Sequence, residues 1–235
     1  RPRYTDSKIN LMNSKERVDI SRDLVNNHYQ YPSGMTVVGY EDAVDKFYSG
    51  IYTEQEFDTQ VAKLETQNTD WFKLLTHDSF STDHSVNVSG GSENLRYYTS
   101  LGYTLNNDVI NDNDNRRYTG TTKLDISLSK RLQTSLSLNV YNDKKNYNPT
   151  SLSPIDYAYN TSRVIPAYND DGSLYYYAKN ASSTQAMKFN IINELDNSYS
   201  KQRISGITAT LNLRYELADW LNINSVLSYS NSNTN

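Results

Sequence analysis

The sequence predicts a mainly β protein whose antiparallel strands form part of a large transmembrane β-barrel, with short helices in the connections. Three observations predict this fold. Apolar and polar residues alternate over several stretches from His84 onward, each stretch is about ten residues long, and short turns alternate with long connections. A tilted strand needs about 9 to 11 residues to cross a bilayer, so the stretches have the required length.

Composition and charge limit the functions that the protein can have. The formal net charge is −4 and the basic residues are scattered, which gives a nucleic-acid partner no electrostatic support. The absence of Cys excludes disulfides and thiolate metal sites. Mean hydropathy is −0.77 and no apolar run reaches the ~18 to 20 residues of a membrane-spanning helix. A barrel strand meets lipid only at every second residue, so this low mean is compatible with a barrel.

The first third of the chain, residues 1 to about 83, lacks sustained alternation and predicts local helices. These helices are expected at about Ser14–Asn26 and Glu54–Leu64. Thr53 is a candidate N-cap for the second helix, with Glu56 at the spacing of a capping box. This part of the chain is therefore expected to be an excursion outside the sheet.

From His84 onward the alternation predicts strands with one apolar and one polar face. Five stretches show it clearly: Leu95–Leu105, Tyr118–Leu128, Leu132–Tyr141, Ile207–Tyr215 and Leu221–Tyr229. In a barrel the apolar face meets lipid and the other face lines a polar interior. The residues predicted to face lipid are Leu101, Leu124, Ile126, Leu136, Leu138, Leu211, Leu213 and Ile223.

Alternation alone does not separate a barrel from a soluble two-sheet sandwich, in which the apolar face packs on a second sheet. Two features favour the barrel. Tyr118, Tyr215 and Tyr229 fall near strand ends, where an aromatic girdle would lie. The connection of some sixty residues from Asn142 to about Arg203 is long for a compact domain. A soluble surface domain that binds glycan or adhesin ligands remains the alternative, and a β-rich polysaccharide-cleaving enzyme is a weaker third hypothesis.

Chemistry-bearing motifs are sparse, so we expect no catalytic residues, no metal site and no cofactor. The three His residues sit in no metal-binding spacing, and no G-x-S-x-G nucleophile motif occurs. The run Asn111–Asn115 superficially suggests calcium, but it lacks the central Gly and terminal Glu of an EF-hand loop. We predict a solvated hairpin tip there, and turns at Tyr31–Gly34 and Asp170–Ser173.

The long second connection is rich in tyrosine, and the whole chain has 21 Tyr against 5 Phe. Aromatic faces can stack on sugar rings or grip a peptide, whereas the simpler interpretation is that these rings pack the loop and contact a partner protein. The candidate ligand-binding residues are Tyr157, Tyr159, Tyr168, Tyr175, Tyr176 and Tyr177.

The segment Asn68-Thr69-Asp70-Trp71-Phe72, followed by a strand that ends in Ser89-Gly90-Gly91-Ser92 and then by Arg96-Tyr97, resembles the SusC/RagA family of TonB-linked outer-membrane transporters. Ser100–Tyr103 and Arg117–Thr122 continue the family pattern, and residues 68 to about 140 carry the resemblance. Gly90 and Gly91 are expected at a turn, where glycine allows positive φ, and the strands on either side alternate.

This resemblance implies a large barrel closed around an N-terminal plug, a TonB-contact segment on the periplasmic side, and a SusD-like lipoprotein over the extracellular mouth. It implies import of oligosaccharides or peptides across the outer membrane of a Gram-negative, Bacteroidota-like bacterium. Residues 1–83 are then an extracellular excursion, and residues 84–235 are part of the barrel with a second extracellular loop at about 142–203. We expect the plug and the remaining strands to lie outside these residues, so that the isolated chain is not a functional unit.

Overall fold

The computed structural model describes residues 10–31, 37–149, 151–178 and 188–235, so most of the turn predicted at Tyr31–Gly34 lies outside the described residues. These residues form two compact units. We call them the helical unit, within 1–78, 109–111 and 148–199, and the sheet unit, within 79–108, 112–147 and 200–235.

The helical unit contains six helices and a two-residue strand pair in its described part. The helices are α1 Ser14–Asn26, α2 Tyr40–Tyr48, α3 Glu54–Thr66, α4 Trp71–Leu75, α5 Pro154–Asn160 and α6 Ile191–Asn197. The strands β5 Tyr177–Ala178 and β6 Lys188–Phe189 pair antiparallel. The two predicted helices are confirmed, and α3 extends two residues beyond the predicted end. The predicted capping box is present: the Glu56 amide donates to Thr53 Oγ1 at 3.3 Å and the Thr53 amide donates to Glu56 Oε2 at 2.8 Å.

The sheet unit is one antiparallel sheet, with its strands in the order β1-β2-β3-β4-β7-β8. The strands are β1 Ser81–Gly91, β2 Leu95–Asn107, β3 Asp114–Ser127, β4 Leu132–Tyr147, β7 Ser200–Ala218 and β8 Leu221–Thr234. They run from 11 to 19 residues and are longer than the ten predicted. Most of the additional residues are polar, so backbone pairing continues beyond the point where hydrophobic alternation stops. The connection between β4 and β7 is correspondingly shorter than the predicted 142–203 loop.

The strand registers separate the sheet into two faces. Leu124 pairs with Leu136, Leu136 with Leu211 and Leu211 with Leu227, which places them in one row across four strands. Side chains two residues apart share a face, so parallel rows of the same character lie above and below. The predicted apolar face is confirmed, and all eight residues predicted to meet lipid belong to it. Contact with lipid itself stays a prediction.

Gly90 and Gly91 differ from the turn prediction. Both belong to β1, and neither is among the described glycines with positive φ. The need for glycine at Gly91 comes from close approach of the backbone, because a Cβ there would lie 2.3 Å from the carbonyl oxygen of Leu95. A Cβ on Gly90 would lie 2.7 Å from the Tyr97 hydroxyl, which is the end of a side chain that can move. Gly91 thus lets β1 and β2 meet closely at the hairpin, which is a packing requirement and not a backbone-angle requirement.

The predicted position at the ends of the apolar face is confirmed for two of the three girdle tyrosines and wrong for one, while a girdle at a membrane interface stays a prediction. Tyr118 pairs with Tyr103 at one end of the apolar face, with ring centroids 5.1 Å apart, and Tyr215 lies at the other end beside Ile223. Tyr229 pairs with Ala209 in the middle of the face. It is near the end of the alternating stretch, but β8 continues to Thr234, and this moves Tyr229 inward.

The helical unit has a conventional hydrophobic core. Fifteen buried residues form it: Val18, Tyr40, Ala43, Val44, Val61, Leu64, Trp71, Phe72, Leu75, Tyr157, Ala158, Val164, Ile165, Ala167 and Ile191. The two halves of the unit, 10–78 and 148–199, thus fold together around one core. Within the described residues, no helix combines the length and apolar character needed to span a membrane.

Candidate functional site

The apolar face of the sheet is exposed. Val86 is 70% exposed, and Leu101 and Leu227 are each 65% exposed. Every buried hydrophobic residue in the described part of the chain belongs to the helical unit, so the sheet unit has no apolar core of its own. Contiguous exposed apolar surface of this kind marks a site of contact with another apolar phase or molecule.

The dimensions of this face match a bilayer. On β7 the face runs from Tyr215 to Ser205. Ser205 pairs with Asn142, and Asn142 pairs with Tyr118, so these three residues form one row across the sheet. Ten steps at about 3.4 Å give roughly 34 Å along the strand. At a barrel tilt of about 35–45° this corresponds to a height of roughly 24–28 Å, against about 25 Å for the lipid-facing band of outer-membrane barrels.

The opposite face is polar and its side chains hydrogen-bond across strands. Thr121 Oγ1 donates to Asn139 Oδ1 at 3.0 Å, and Asn212 Nδ2 donates to Ser135 Oγ at 3.1 Å. Between β7 and β8, hydroxyl pairs repeat at 3.1 and 3.3 Å, the first of them joining Thr208 to Ser230. Such a face is suited to water and polar solutes, as the interior of a barrel requires.

The helical unit is held together by the segment Asn68–Phe72, which we call the anchor segment. Asn68 and Ser14 bond reciprocally at 2.9 Å, each side-chain oxygen accepting from the amide of the other residue. Asn68 has φ of 41°, a left-handed conformation that Asn tolerates better than most residues. Thr69 Oγ1 donates to the Ile165 carbonyl at 2.7 Å, and Asp70 caps α4 by accepting from the Lys73 amide at 3.0 Å.

The two aromatic rings of the anchor segment contact α5. Trp71 packs edge-on against Tyr157, with centroids 5.1 Å apart, and its Nε1 donates to the Ser162 carbonyl at 3.3 Å. Phe72 makes an edge contact with Tyr159 at 4.9 Å. These contacts join the first excursion to the second within the helical unit.

The six candidate tyrosines fall into different environments. Tyr157 is buried, and its hydroxyl lies 3.0 Å from that of Tyr177, which is partly buried. Burial is also the main reason that the pKa values of both hydroxyls are raised. Tyr159, Tyr168 and Tyr176 are exposed, and ligand contact stays a prediction for all six.

One cleft of about 410 Å³ brings two of these tyrosines together, Tyr168 and Tyr175. Its walls come from α2, α3 and residues 164–171, and its volume lies within the ~300–1,000 Å³ usual for small-molecule pockets. Lys63 Nζ pairs with Asp170 at 2.6 Å on the rim. The cleft therefore combines aromatic faces with fixed charges.

Two sequence relatives match less than half of the chain, and two solved structures match the fold of most of it. It is 37% identical over 90 residues to the TonB-dependent receptor SusC of Bacteroides thetaiotaomicron, covering 38% of this chain and 9% of that receptor. It is 36% identical over 107 residues to TonB-dependent receptor P26 of Formosa agariphila, covering 45% and 10%. The fold matches a structure of the RagAB peptide transporter with a TM-score of 0.66 at 15% identity, over 98% of this chain and 26% of that one. A closed-closed state of the RagAB peptide importer matches with a TM-score of 0.57 at 13% identity, over 85% and 26%.

The chain is SusC/RagA-like. It spans about a tenth of the length of SusC and P26 in these alignments. No protein-family model matches it.

Packing explains part of the motif that carries the SusC/RagA resemblance. The anchor segment joins the two halves of the helical unit, and Gly91 permits the close approach of strands at the β1–β2 hairpin. Sequence reasoning missed Arg163, whose Nε and Nη2 donate to the carbonyls of Thr69 and Asn68 at 3.3 Å each. Its partners are backbone atoms, which leave no pattern in the sequence.

The predicted turn at Asp170–Ser173 is confirmed in this SusC/RagA-like chain. Gly172 has φ of 82°, and Asp171 Oδ1 accepts from the Ser173 amide and hydroxyl at 2.9 and 2.6 Å. These bonds lower the pKa of Asp171. The 108–113 connection joins β2 to β3, while Asp114 and Asn115 of the predicted hairpin tip belong to β3. The described residues contain no group of three or more His, Cys, Asp or Glu placed to hold a metal ion.

Proposed function

We propose that this chain is part of an outer-membrane TonB-dependent transporter that imports oligosaccharides or peptides. The single observation that carries the proposal is the uncovered apolar face, with a height that matches the bilayer and a hydrogen-bonded polar face behind it. An open sheet leaves unpaired edges in lipid, so further strands from the complete protein close the barrel. The protein acts by binding and transport and not by catalysis.

The location and partners follow from the same proposal. The protein resides in the outer membrane of a Bacteroidota-like bacterium, contacts lipid through the apolar face, and receives energy through TonB bound to another region. A SusD-like lipoprotein covers its extracellular mouth. The named similarities to TonB-dependent receptors and to the RagAB transporter support this assignment.

In this proposal the helical unit is extracellular, and its two excursions are the region before β1 and the connection between β4 and β7. The cleft beside Tyr168 and Tyr175 offers a place for contact with a sugar ring or a peptide side chain. The exposed rings of Tyr159 and Tyr176 offer a further surface for substrate or for the lipoprotein.

The soluble glycan-binding domain is the alternative that this geometry disfavours. A sandwich buries the apolar face of each sheet against a second sheet, whereas here the face is exposed over six strands. The described helical unit keeps its own separate core.

Fractionation of cells that express the full-length protein tests the proposal. We expect the protein in the outer membrane, with a gel mobility that changes on heating, because closed barrels resist unfolding in cold detergent. Affinity purification is expected to recover a surface lipoprotein encoded by the same bacterium. Recovery as a soluble monomer without detergent, with the same mobility before and after heating, would reject the transporter.

A further inference from the structure

Three basic residues from neighbouring strands lie side by side at one end of the apolar face. Arg116 of β3 pairs with Lys144 of β4, and Lys144 pairs with Arg203 of β7. Tyr118, Asn142 and Ser205 form the last row of the apolar face at this end. Each basic residue lies two positions along its strand from one of these three, so its side chain projects on the apolar side of the sheet. We call these three residues the basic row.

The basic row carries charge that ion pairs within the described residues neutralise only in part. Arg116 is paired in part, since its Nε lies 3.1 Å from Asp114 Oδ2, yet its side chain is 55% exposed. Lys144 and Arg203 are exposed, and neither forms an ion pair within the described part of the chain. With the Asn142 amide oxygen turned toward Arg203, that oxygen accepts from Nε and Nη2 at 3.1 and 3.2 Å, which orients the guanidinium without cancelling its charge.

The depth of the basic row corresponds to lipid headgroups. The aromatic pair Tyr103 and Tyr118 closes the apolar band, as girdle residues do at a membrane interface. One further two-residue step adds about 6.8 Å along the strand, or roughly 5 Å in height at barrel tilt. A side chain at this level lies outside the layer of lipid acyl chains, at the level of the lipid phosphates.

We propose that the basic row binds the phosphate of an anionic lipid headgroup in the leaflet on the side of the long connections. This inference rests on the proposed membrane location. Neighbouring strands are about 4.8 Å apart, so three cations spread over roughly 10 Å present several donors to one headgroup. The lipid tails lie along the apolar rows below, and this combination selects a lipid over a free phosphate ion.

The polar face provides a matched control on the same two strands. Lys145 of β4 lies next to Lys144 but pairs with Asn115 on the opposite face. Arg214 of β7 pairs with Gln133 on that face and is also exposed. The double variants Lys144→Gln/Arg203→Gln and Lys145→Gln/Arg214→Gln therefore remove the same charges from the same strands, on opposite faces. Arg214 also lies at the other end of β7, beside Tyr215, so the control pair is away from the proposed headgroup level as well.

The test measures lipids bound to the full-length protein in detergent by native mass spectrometry. Phosphatidylglycerol, phosphatidylcholine and inorganic phosphate are the three probes. Each basic residue near an anionic surface contributes about fivefold to binding, so Lys144→Gln/Arg203→Gln is expected to weaken phosphatidylglycerol binding roughly 30-fold. The control variant is expected to bind phosphatidylglycerol as tightly as the unaltered protein does. Phosphatidylcholine is expected to bind weakly to the unaltered protein and to both variants.

Several results would overturn the headgroup site. They are equal phosphatidylglycerol binding by all three proteins, equal loss in both variants, or displacement of the lipid by millimolar inorganic phosphate. Heat-dependent mobility is measured on the same samples. A folded barrel with no difference in lipid binding rejects the headgroup site alone, whereas absence of a barrel rejects the proposed transporter.

Discussion

Thr69 Oγ1 donates a 2.7 Å hydrogen bond to the carbonyl oxygen of Ile165, 96 residues further along the chain. Both residues are buried. The backbone reinforces the contact, because the Thr69 amide donates to the Arg163 carbonyl at 3.0 Å. A threonine within a family-like motif therefore positions one excursion on the other, and the motif acts through folding of the helical unit.

Replacement of Thr69 by Val tests this contact. The change keeps the shape of the side chain, removes the donor and leaves the Ile165 carbonyl buried without it. We expect the opening free energy of the helical unit to fall by about 1–3 kcal/mol. Hydrogen exchange of the full-length protein measures this as faster exchange in segments 68–75 and 157–167.

Thr66→Val is the control for that experiment. The exposed Thr66 hydroxyl donates to the carbonyl of Ala62 within α3, so its loss should leave exchange in 157–167 unchanged. Equal effects from the two variants would show that the contact between Thr69 and Ile165 does not hold the excursions together.

Truncation of the two tryptophans of the chain should affect the stability of the helical unit to very different extents. Trp71 is 3% exposed and contacts Tyr157, whereas Trp220 is 83% exposed after β7. Trp71→Ala is expected to cost about 3–5 kcal/mol and to make the helical unit sensitive to protease. Trp220→Ala should leave protease resistance of the helical unit intact. Resistance retained in Trp71→Ala would contradict the placement of Trp71 in the core.

Gly91→Ala should disturb the β1–β2 hairpin. The added Cβ would meet backbone atoms, with the Leu95 carbonyl oxygen 2.3 Å away, so the hairpin has to shift. By analogy with other overpacked sites, we expect the free energy of unfolding to fall by about 1–3 kcal/mol. A lower midpoint of urea unfolding for the heat-modifiable form would measure this loss. Ser89→Ala, on the same strand and exposed, is the control. If the urea midpoint of Gly91→Ala equals that of the control, close approach of the two strands does not explain the glycine at this position.

The start of α3 should loosen in acid. Hydrogen bonds from the Thr53 backbone and side chain lower the pKa of Glu56 below its ordinary 4.5. A lowered folded-state pKa stabilises the helix above about pH 4.5, and this stabilisation is lost as the pH falls through the folded value. Amide exchange at residues 53–57, corrected for the intrinsic pH effect, should therefore rise below pH 4.5.

Two variants separate the capping box from general acid effects. Glu56→Gln should remove the pH dependence of exchange at the start of α3, whereas Glu54→Gln should keep it because the pairing of Thr53 with Glu56 is intact. Unchanged pH dependence in Glu56→Gln would assign the effect to another group.

Features that depend on neighbouring residues in the chain were predictable. Helix α1 matches its predicted bounds, and the Thr53 and Glu56 spacing identified the start of α3. Alternation placed every predicted lipid-facing residue on one face, because side chains alternate along a strand whatever the strand pairs with. The polar extensions of the strands have no such pattern, so their pairing could not be predicted.

Features that depend on distant contacts were not predictable from one sequence. Helix α2 is short and begins after Gly39, which offers no side-chain cap. The basic residues are scattered along the chain, yet register brings Arg116, Lys144 and Arg203 into one row. The cleft near Tyr168 likewise forms only when the 164–171 segment meets α2 and α3.

The central claim is that the apolar face of the sheet meets lipid. Single Cys residues at Leu136 and Leu211, compared with Ser137 and Thr210 on the opposite face, test it in native outer membranes. We predict that a bilayer-soluble thiol reagent labels the two Leu positions, and that a water-soluble reagent labels Ser137 and Thr210. Labelling of Leu136 and Leu211 by the water-soluble reagent, with none by the bilayer-soluble one, would contradict the account.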